Sequence, residues 1–352
     1  MNKKVLMALS GGVDSSVAAI LLKEQGYDLI GITLRIYQSQ FRSDPLVQAI
    51  ADATILAGKL SIPFYVIDVH DDFEESIIND FIGEYQSGRT PNPCALCNYQ
   101  IKWKHLIKVA NEFGCEYIAT GHYAQIKESE GRYYISKGHD GVKDQSYFLW
   151  RLSQDYLKRT LFPLGAYSKP EIKAIADNKG FKKLAAKKES YDVCFIPEGN
   201  YRAFLNQNSE QDKVKTQKAY FVSSNGKVLG KHEGIQNYTI GQRKGLGIAH
   251  TEPLYVVKID APNNLIVLGP RSELESTIFY LESYNFSKYE KLPDKVLVQT
   301  KIRYKSPEIA CQISFKEEKL KVELNTPVSA ITPGQSAVFY EGDDLIGGGV
   351  IV

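Results

Sequence analysis

The spacing of apolar and polar positions changes character once along the chain. Up to about residue 200, short apolar runs alternate with segments of helical period, the pattern that builds a parallel α/β sheet. Val5–Leu9 predicts a first strand, Val17–Gln25 a helix stopped at Gly26, and Leu29–Leu34 a second strand. A helix over about Pro45–Leu60 then leads to a strand over Pro63–Val69. Another helix follows Asp71, a loop spans Ser87–Cys94, a helix covers about Cys97–Phe113, and a strand covers Cys115–Thr120. Ser168-Lys169-Pro170-Glu171 combines capping-box spacing with an early helical proline, so a helix to Gly180 is predicted.

After Phe204 a polar stretch, 206–217, marks a boundary. Beyond it, period-two runs such as Tyr255–Ile259, Lys295–Ile302 and Ala337–Tyr340 are separated by turns at Asn225-Gly226, Asn263-Asn264 and Gly342-Asp343. The expected fold is therefore α/β, a doubly wound parallel sheet followed by two small β-rich or β-barrel domains. The expected divisions are 1–205, 206–270 and 271–352.

The length of 352 residues suits two or three such domains, and 43% hydrophobic with 24% charged residues is ordinary for a globular chain. Lys and Arg total 43 against 41 Asp and Glu, a net charge of +2, which excludes a bulk polycation but not a local basic stripe. Five scattered cysteines argue against a disulfide scaffold and for a reducing compartment. The apolar run Val5–Leu9 is shorter than a signal peptide needs, and no stretch reaches the ~20 residues of a membrane span. The expected location is the cytoplasm, with no membrane partner.

The first candidate chemistry sits where the first strand meets the first helix, at Ser10-Gly11-Gly12-Val13-Asp14-Ser15-Ser16. Glycines let a ligand approach the backbone, free amides and hydroxyls donate, and the helix dipole favours an anion, so the loop predicts phosphate binding. A Walker loop has Lys before its final Ser or Thr, and here that position is Asp14. A loop without that lysine suits pyrophosphate held as a unit, the leaving group of adenylation. Ser10–Ser16 resembles the pyrophosphate loop of the ATP pyrophosphatases, which activate a carbonyl oxygen for amidation or thiolation.

Thiols supply the second. Gly88–Asn98 presents Cys94 and Cys97 three positions apart behind two prolines, and Cys194 lies 97 positions beyond Cys97. A helix N-terminus together with Arg89, Lys102 and Lys104 predicts lowered thiol pKa values. One cysteine as nucleophile and one as sulfur carrier would make sensible thiolation chemistry.

Taken together these strings resemble the tRNA-specific 2-thiouridylase family over nearly the whole chain. Matching blocks include Ala119–Ala124, Lys143–Leu149, Gly230–Ile248 with Tyr238–Gly247 inside it, and Lys301–Tyr304. The resemblance implies ATP held by Ala8, Leu9, Ser10, Gly11, Gly12, Val13, Asp14, Ser15, Leu34 and Gly121, with Mg2+ as the metal. It implies that Asn92, Pro93 and Cys94 face the target base, that Cys97 is the nucleophile, and that Cys194 carries a persulfide. Lys143, Asp144, Gln145, Arg303 and Tyr304 would contact the tRNA at its anticodon arm, and a persulfide or sulfide donor protein would supply the sulfur. The implied product is 2-thiouridine at the wobble position.

Many members of that family carry Asp where this chain has Cys94, and two readings follow. Cys94 is a further redox-active or base-facing thiol in a persulfide enzyme, or Cys94, Cys97 and Cys194 ligate a 4Fe-4S cluster whose open iron carries sulfide. Two competitors stand further off: an amidating ATP pyrophosphatase, which has no need of the thiols, and a non-catalytic tRNA-binding protein. Cys115 and Cys311 read as core residues, and His122 reads as structural. Lys169–Lys188, with seven lysines against Glu171 and Asp177, suggests phosphate contact with tRNA. Trp103 or Tyr99 is a candidate to stack on an extruded base.

Overall fold

The computed structural model describes residues 3–36, 45–186, 193–196, 200–208, 219–293 and 295–352. Lys187, Lys188, Ser190–Asp192 and most of the polar stretch 206–217 lie outside these residues. The parallel sheet contains β1 (Lys4–Ala8), β2 (Asp28–Arg35), β3 (Phe64–Asp68) and β4 (Tyr117–Ala119). A hairpin of β5 (Ala124–Ser129) and β6 (Arg132–Lys137) precedes the last member, β7 (Thr160–Leu161). The strand order is β3-β2-β1-β4-β7, with every neighbour in the sheet parallel. Order reverses between β1 and β4, and in an open parallel sheet the crevice beyond the carboxyl ends at that point is where ligands bind.

The helices begin earlier than the apolar period indicates. α1 runs Val13–Glu24 and starts four residues before the expected Val17, so most of the Ser10–Ser16 string belongs to the first helical turn. α2 runs Pro45–Leu60 as expected. The cysteine helix begins at Pro93, because Asn92 caps it: its Oδ1 accepts from the Ala95 amide at 3.3 Å. Pro93–Cys97, a π-helical turn Asn98–Trp103, and Lys104–Glu112 follow without a break. A second π turn, Glu74–Ile78, interrupts the helical run from His70 to Gln86. The capping box forms as the sequence predicts, Ser168 donating through its backbone N–H and its hydroxyl to Glu171, both at 2.7 Å.

The C-terminal part is all β. Tyr220–Ser223, Val228–Lys231, Tyr255–Asp260 and Leu265–Gly269 form a four-stranded sheet over a core of Phe221, Tyr238, Val256, Ile266 and Leu268. Six antiparallel strands between Glu275 and Ile351 form a closed barrel, in which Glu275–Phe286 pairs with Asp344–Ile351 to shut the ring. The hairpin β5–β6, which the sequence pattern did not distinguish, is an appendage of this barrel: Ser136 pairs with Asp344 and Ile135 with Leu345. One apolar cluster runs from Leu6 and Ile118 through Trp103, Tyr147 and Trp150 to Val338, Tyr340 and Leu345, so the barrel and the α/β sheet share a core. At ~1.5–3 kcal/mol for each large apolar side chain buried, that shared core fixes the barrel against the sheet.

All three parts meet at the loop ahead of the cysteine helix. The Thr90 N–H donates to the Pro333 carbonyl at 2.8 Å, and Gln335 donates through Nε2 to the carbonyls of Thr90 (2.9 Å) and Pro91 (3.0 Å). Asn92 donates to the Ser336 hydroxyl at 3.2 Å, Thr90 bonds to Thr239 at 3.2 Å, and Arg89 bridges Glu84 and Glu282. Gly334 makes the closest approach, with φ +90° and a site where a Cβ would stand 2.8 Å from the Thr90 oxygen. Gly334→Ala is therefore expected to lower unfolding stability by roughly 1–3 kcal/mol, measured as a fall in denaturant midpoint. An unchanged midpoint would show that the loop is not clamped there.

Candidate active site

The Ser10–Ser16 string lies at the carboxyl end of β1, at the reversal of strand order. Leu9 and Val13 point into the core, 2% and 5% exposed, so only their backbone is available to a ligand. Leu9 is locked by its amide on the Ile32 carbonyl (2.7 Å) and by Thr33 Oγ1 donating to its own carbonyl (2.6 Å). Ser10 and Ser15 hydroxyls lie 3.1 Å apart, and the Ser15 oxygen also accepts the Ser10 amide at 3.1 Å. Gly121, at the end of β4, packs so closely that a Cβ there would sit 2.7 Å from the Ser15 nitrogen. The structure thus brings Ser10–Ser15 and Gly121 together, with Leu34 at the neighbouring end of β2. Tyr123 and Lys169 join them although the sequence analysis did not assign them there: both bond to Asp14.

Cys97 and Cys194 are brought together by aromatic packing. Cys97 is buried in a cluster with Val69, Phe73, Ile77 and Ile101, over the ends of β2 and β3, and Phe195 packs against that cluster. The Phe195 ring meets Phe73, Phe81 and Phe204 at centroid distances of 5.6, 5.3 and 5.4 Å. Anchored by this ring, segment 193–196 presents Cys194 to solvent within electrostatic reach of both Cys94 and Cys97. All three thiols are free, Cys94 and Cys194 open to solvent and Cys97 buried.

The expectation of lowered thiol pKa values is overturned. Burial pushes Cys97 up to about 12. The same cause raises Cys94 and Cys194, which solvent touches although protein crowds round them. Lys102 pulls all three down without winning, and Lys104 and Arg89 are engaged with Asp72, Glu84 and Glu282. Desolvation of a charge outweighs a single partly screened cation. His122 also faces Lys102, and burial ahead of that cation holds its pKa well below the usual histidine range. It is neutral at pH 7, bonded to Thr120 Oγ1 at 2.8 Å and packed on Trp103 and Phe162, the structural role its sequence context suggested.

Several side chains expected to face a ligand are committed internally. Asn92 caps the helix and holds Ser336, and Pro93 is buried, so of that trio Cys94 alone is exposed. Asp144 is 5% exposed and accepts from the Gly138 amide (3.0 Å), the Ser146 amide (3.1 Å) and the Ser146 hydroxyl (2.8 Å). It shapes the loop and cannot reach a large partner. Gln145 brackets the Tyr123 backbone at 2.9 and 3.0 Å. Trp103 is fully buried with its Nε1 donating to Thr160 at 2.8 Å, so it is no stacking platform, whereas Tyr99 is 37% exposed. In the basic segment, Lys169 turns inward to Asp14 and Lys179 pairs with Glu24. Arg303 is exposed and donates to the Ala330 carbonyl. Tyr304 packs against Phe148 with ring centroids 4.5 Å apart and planes tilted by 44°, in the field of Asp144 and Lys143, so the two segments expected to touch tRNA do lie side by side. Cys115 and Cys311 are core residues, 4% and 1% exposed.

Asp14 is the only acid of the loop, and its carboxylate, which accepts from Lys169 Nζ and the Tyr123 hydroxyl, could join Mg2+ once Lys169 leaves it, since that ion binds through one or two carboxylates plus substrate phosphates. The thiols do not fit an iron–sulfur cluster. Among the described residues no three His, Cys, Asp or Glu side chains are placed to share a metal.

Three family profiles match in succession: the tRNA methyl transferase HUP domain at residues 3–198, its PRC-barrel domain at 206–270, and an aminomethyltransferase β-barrel domain at 276–351. The tRNA-specific 2-thiouridylase MnmA of Amoebophilus asiaticus is 46% identical over 99% of this chain and 95% of its own length. The protein of the same name from Clostridium acetobutylicum is 46% identical over 100% of both chains. Among solved structures, the U34-tRNA thiolase NcsA from Methanococcus maripaludis with its 4Fe-4S cluster is 22% identical, covering 58% of this chain and 64% of that one with a TM-score of 0.36.

Since the three thiols sit above their ordinary pKa, alkylation by iodoacetamide should be slow at pH 7 and accelerate as pH rises past the usual thiol range. Peptide mass spectrometry should find Cys94 and Cys194 labelled well before Cys97, and Lys102→Met should move the onset to still higher pH. Rapid labelling at pH 6 would contradict the burial argument.

Proposed function

The chain belongs to the tRNA-specific 2-thiouridylase family, and from that premise we propose that it is an ATP-dependent tRNA-uridine 2-sulfurtransferase forming 2-thiouridine at the wobble position. The observation that carries the reading is the convergence of Cys97 and Cys194, far apart in sequence, at the carboxyl edge of a sheet whose first loop is built for phosphates.

In this reading ATP lies along Ser10–Ser15 with its adenosine side toward Leu34 and Gly121. The uridine O2 attacks the α-phosphorus, pyrophosphate leaves, and the loop amides and α1 dipole stabilise the departing charge. Asp14 and the phosphates would hold Mg2+, which when bound would neutralise phosphate charge. A donor protein loads Cys194 with a persulfide, which exposure of Cys194 permits. The terminal persulfide sulfur attacks C2 and AMP departs. Cys97, as thiolate, then attacks the Cys194 sulfur, the persulfide S–S bond breaks, and the terminal sulfur stays on the base. The products are 2-thiouridine and a Cys97–Cys194 disulfide, which a two-electron reductant must reopen. A Cys97 thiol pushed up to about 12 makes this last attack slow in the free protein. The nucleophile is thus poised to act when substrate alters its surroundings, rather than to destroy the persulfide beforehand.

Cys94, exposed at the helix start, and Tyr99, exposed on the π turn that follows, would face the place where an extruded base enters. Lys143 with Arg303 and Tyr304 would grip the backbone of the anticodon arm, which positions tRNA without reading sequence. The three units 1–205, 206–270 and 271–352 would then divide the work between chemistry and docking.

Nucleoside mass spectrometry of tRNA incubated with ATP, a persulfide source and the protein should detect 2-thiouridine. Cys97→Ser and Cys194→Ser should each reduce it by about a hundredfold or more. Turnover intact in both variants would rule out thiol chemistry in favour of amidation. Absence of tRNA-dependent pyrophosphate release would leave only a binding protein.

A further inference from the structure

The nucleotide loop carries an ion pair that the chemistry above leaves unused. Lys169 is 7% exposed, and its Nζ donates to both oxygens of Asp14, at 2.6 and 2.8 Å. The Tyr123 hydroxyl donates to the same carboxylate at 2.7 Å, and the ammonium lies 5.8 Å from the Tyr123 ring centroid. Asp14 stands in the first turn of α1, inside the Ser10–Ser16 string at the carboxyl end of β1.

The position of Lys169 is built, not incidental. It opens the helix Lys169–Asn178, whose capping box fixes the first turn, and its backbone N–H donates to Asp140 Oδ2 at 2.9 Å. Asp140 Oδ1 accepts the amides of Val142 (3.0 Å) and Lys143 (3.1 Å), while Gln145 holds Tyr123 by two bonds. The loop carrying Lys143 therefore sets both groups that touch Asp14.

An ion pair buried on its lysine side and about a third exposed at Asp14 gains little stability, because desolvating the ammonium offsets the attraction. Its placement matters more. In a Walker loop the phosphate-gripping ammonium comes from the loop itself, at the position this chain gives to Asp14. Here Asp14 holds an ammonium supplied by a helix 155 residues away. We propose that Lys169 is a nucleotide-phosphate-binding residue, parked on Asp14 in the free protein and handed to the phosphates when nucleotide enters. The assignment rests on the ATP reading of the loop. After the exchange Asp14 keeps the Tyr123 hydroxyl and the positive end of α1 and is released to hold the Mg2+ of the nucleotide, while Lys169 exchanges one anion for a more highly charged one.

Calorimetric titration of the full chain with ATP, with pyrophosphate and with adenosine tests this in four forms: wild type, Asp14→Asn, Lys169→Met and the double variant. Lys169→Met should weaken ATP and pyrophosphate about tenfold or more and leave adenosine unchanged. The double variant, which strands no lone charge, should bind ATP weaker than Asp14→Asn by a similar factor. Equal ATP affinity of Asp14→Asn and the double variant would overturn the proposal, since Lys169 would then only neutralise Asp14. An equal loss for adenosine would overturn it too. If the wild type bound adenosine but neither ATP nor pyrophosphate, the phosphate reading of the loop itself would fail, and this assignment with it.

Discussion

The contact on which the rest of the molecule depends is the seizure of one loop by a turn of the barrel. Backbone and side chains of Pro333, Gln335 and Ser336 take up the polar groups of Thr90, Pro91 and Asn92, while Thr239 and Glu282 hold the flanks. Buried backbone groups in so short a loop need partners, and these come from elements more than 140 residues away. Once the loop is fixed, Asn92 can cap only at Ala95, the helix must begin at Pro93, and Cys94 and Cys97 follow in set orientations. The β domains therefore set where Cys94 and Cys97 stand.

Within that frame, environment decides chemistry more than proximity does. A helix start and several basic side chains surround the cysteines, which by count alone favours thiolate. Most of those cations are engaged with carboxylates, and apolar packing around Cys97 leaves desolvation as the larger effect. Segment 193–196 is held to the same cluster through Phe195, so Cys194 stays exposed while Cys97 is hidden. That asymmetry, one thiol open and one shielded, is what the proposed sulfur relay rests on.

What could be seen in the sequence was what is local. The Ser10–Ser16 loop, the capping box at Ser168 and the alternation of strands and helices are settled by residues a few positions apart, and the structure has them where pattern places them. The start of α1 was read four residues late because Gly12, Asp14 and Ser15 conceal the first turn from an apolar period. The hairpin β5–β6 escaped notice because its partner strand begins at Asp344. The internal partners of Asn92 and Asp144 stayed hidden for the same reason: Ser336 and a buried turn take up their side chains, and neither can be foreseen without the fold. Tyr123 stands two residues beyond Gly121 in a block already singled out, yet only the geometry reveals that its hydroxyl meets Asp14.

The π turn at Asn98–Trp103 acts as a rotational offset in the cysteine helix. Hydrogen bonds that reach five residues back accommodate one more residue per turn than an α-helix does. Ile101 thereby keeps its seat beside Cys97 in the apolar cluster, and the next residue, Lys102, also comes alongside the thiols. A regular helix would carry Lys102, five residues on, about 140° round from Cys97. The widened turn thus lets consecutive residues serve opposite purposes at one sulfur, an oily wall and a positive charge, and ties both to a helical phase that a single inserted or deleted residue would lose.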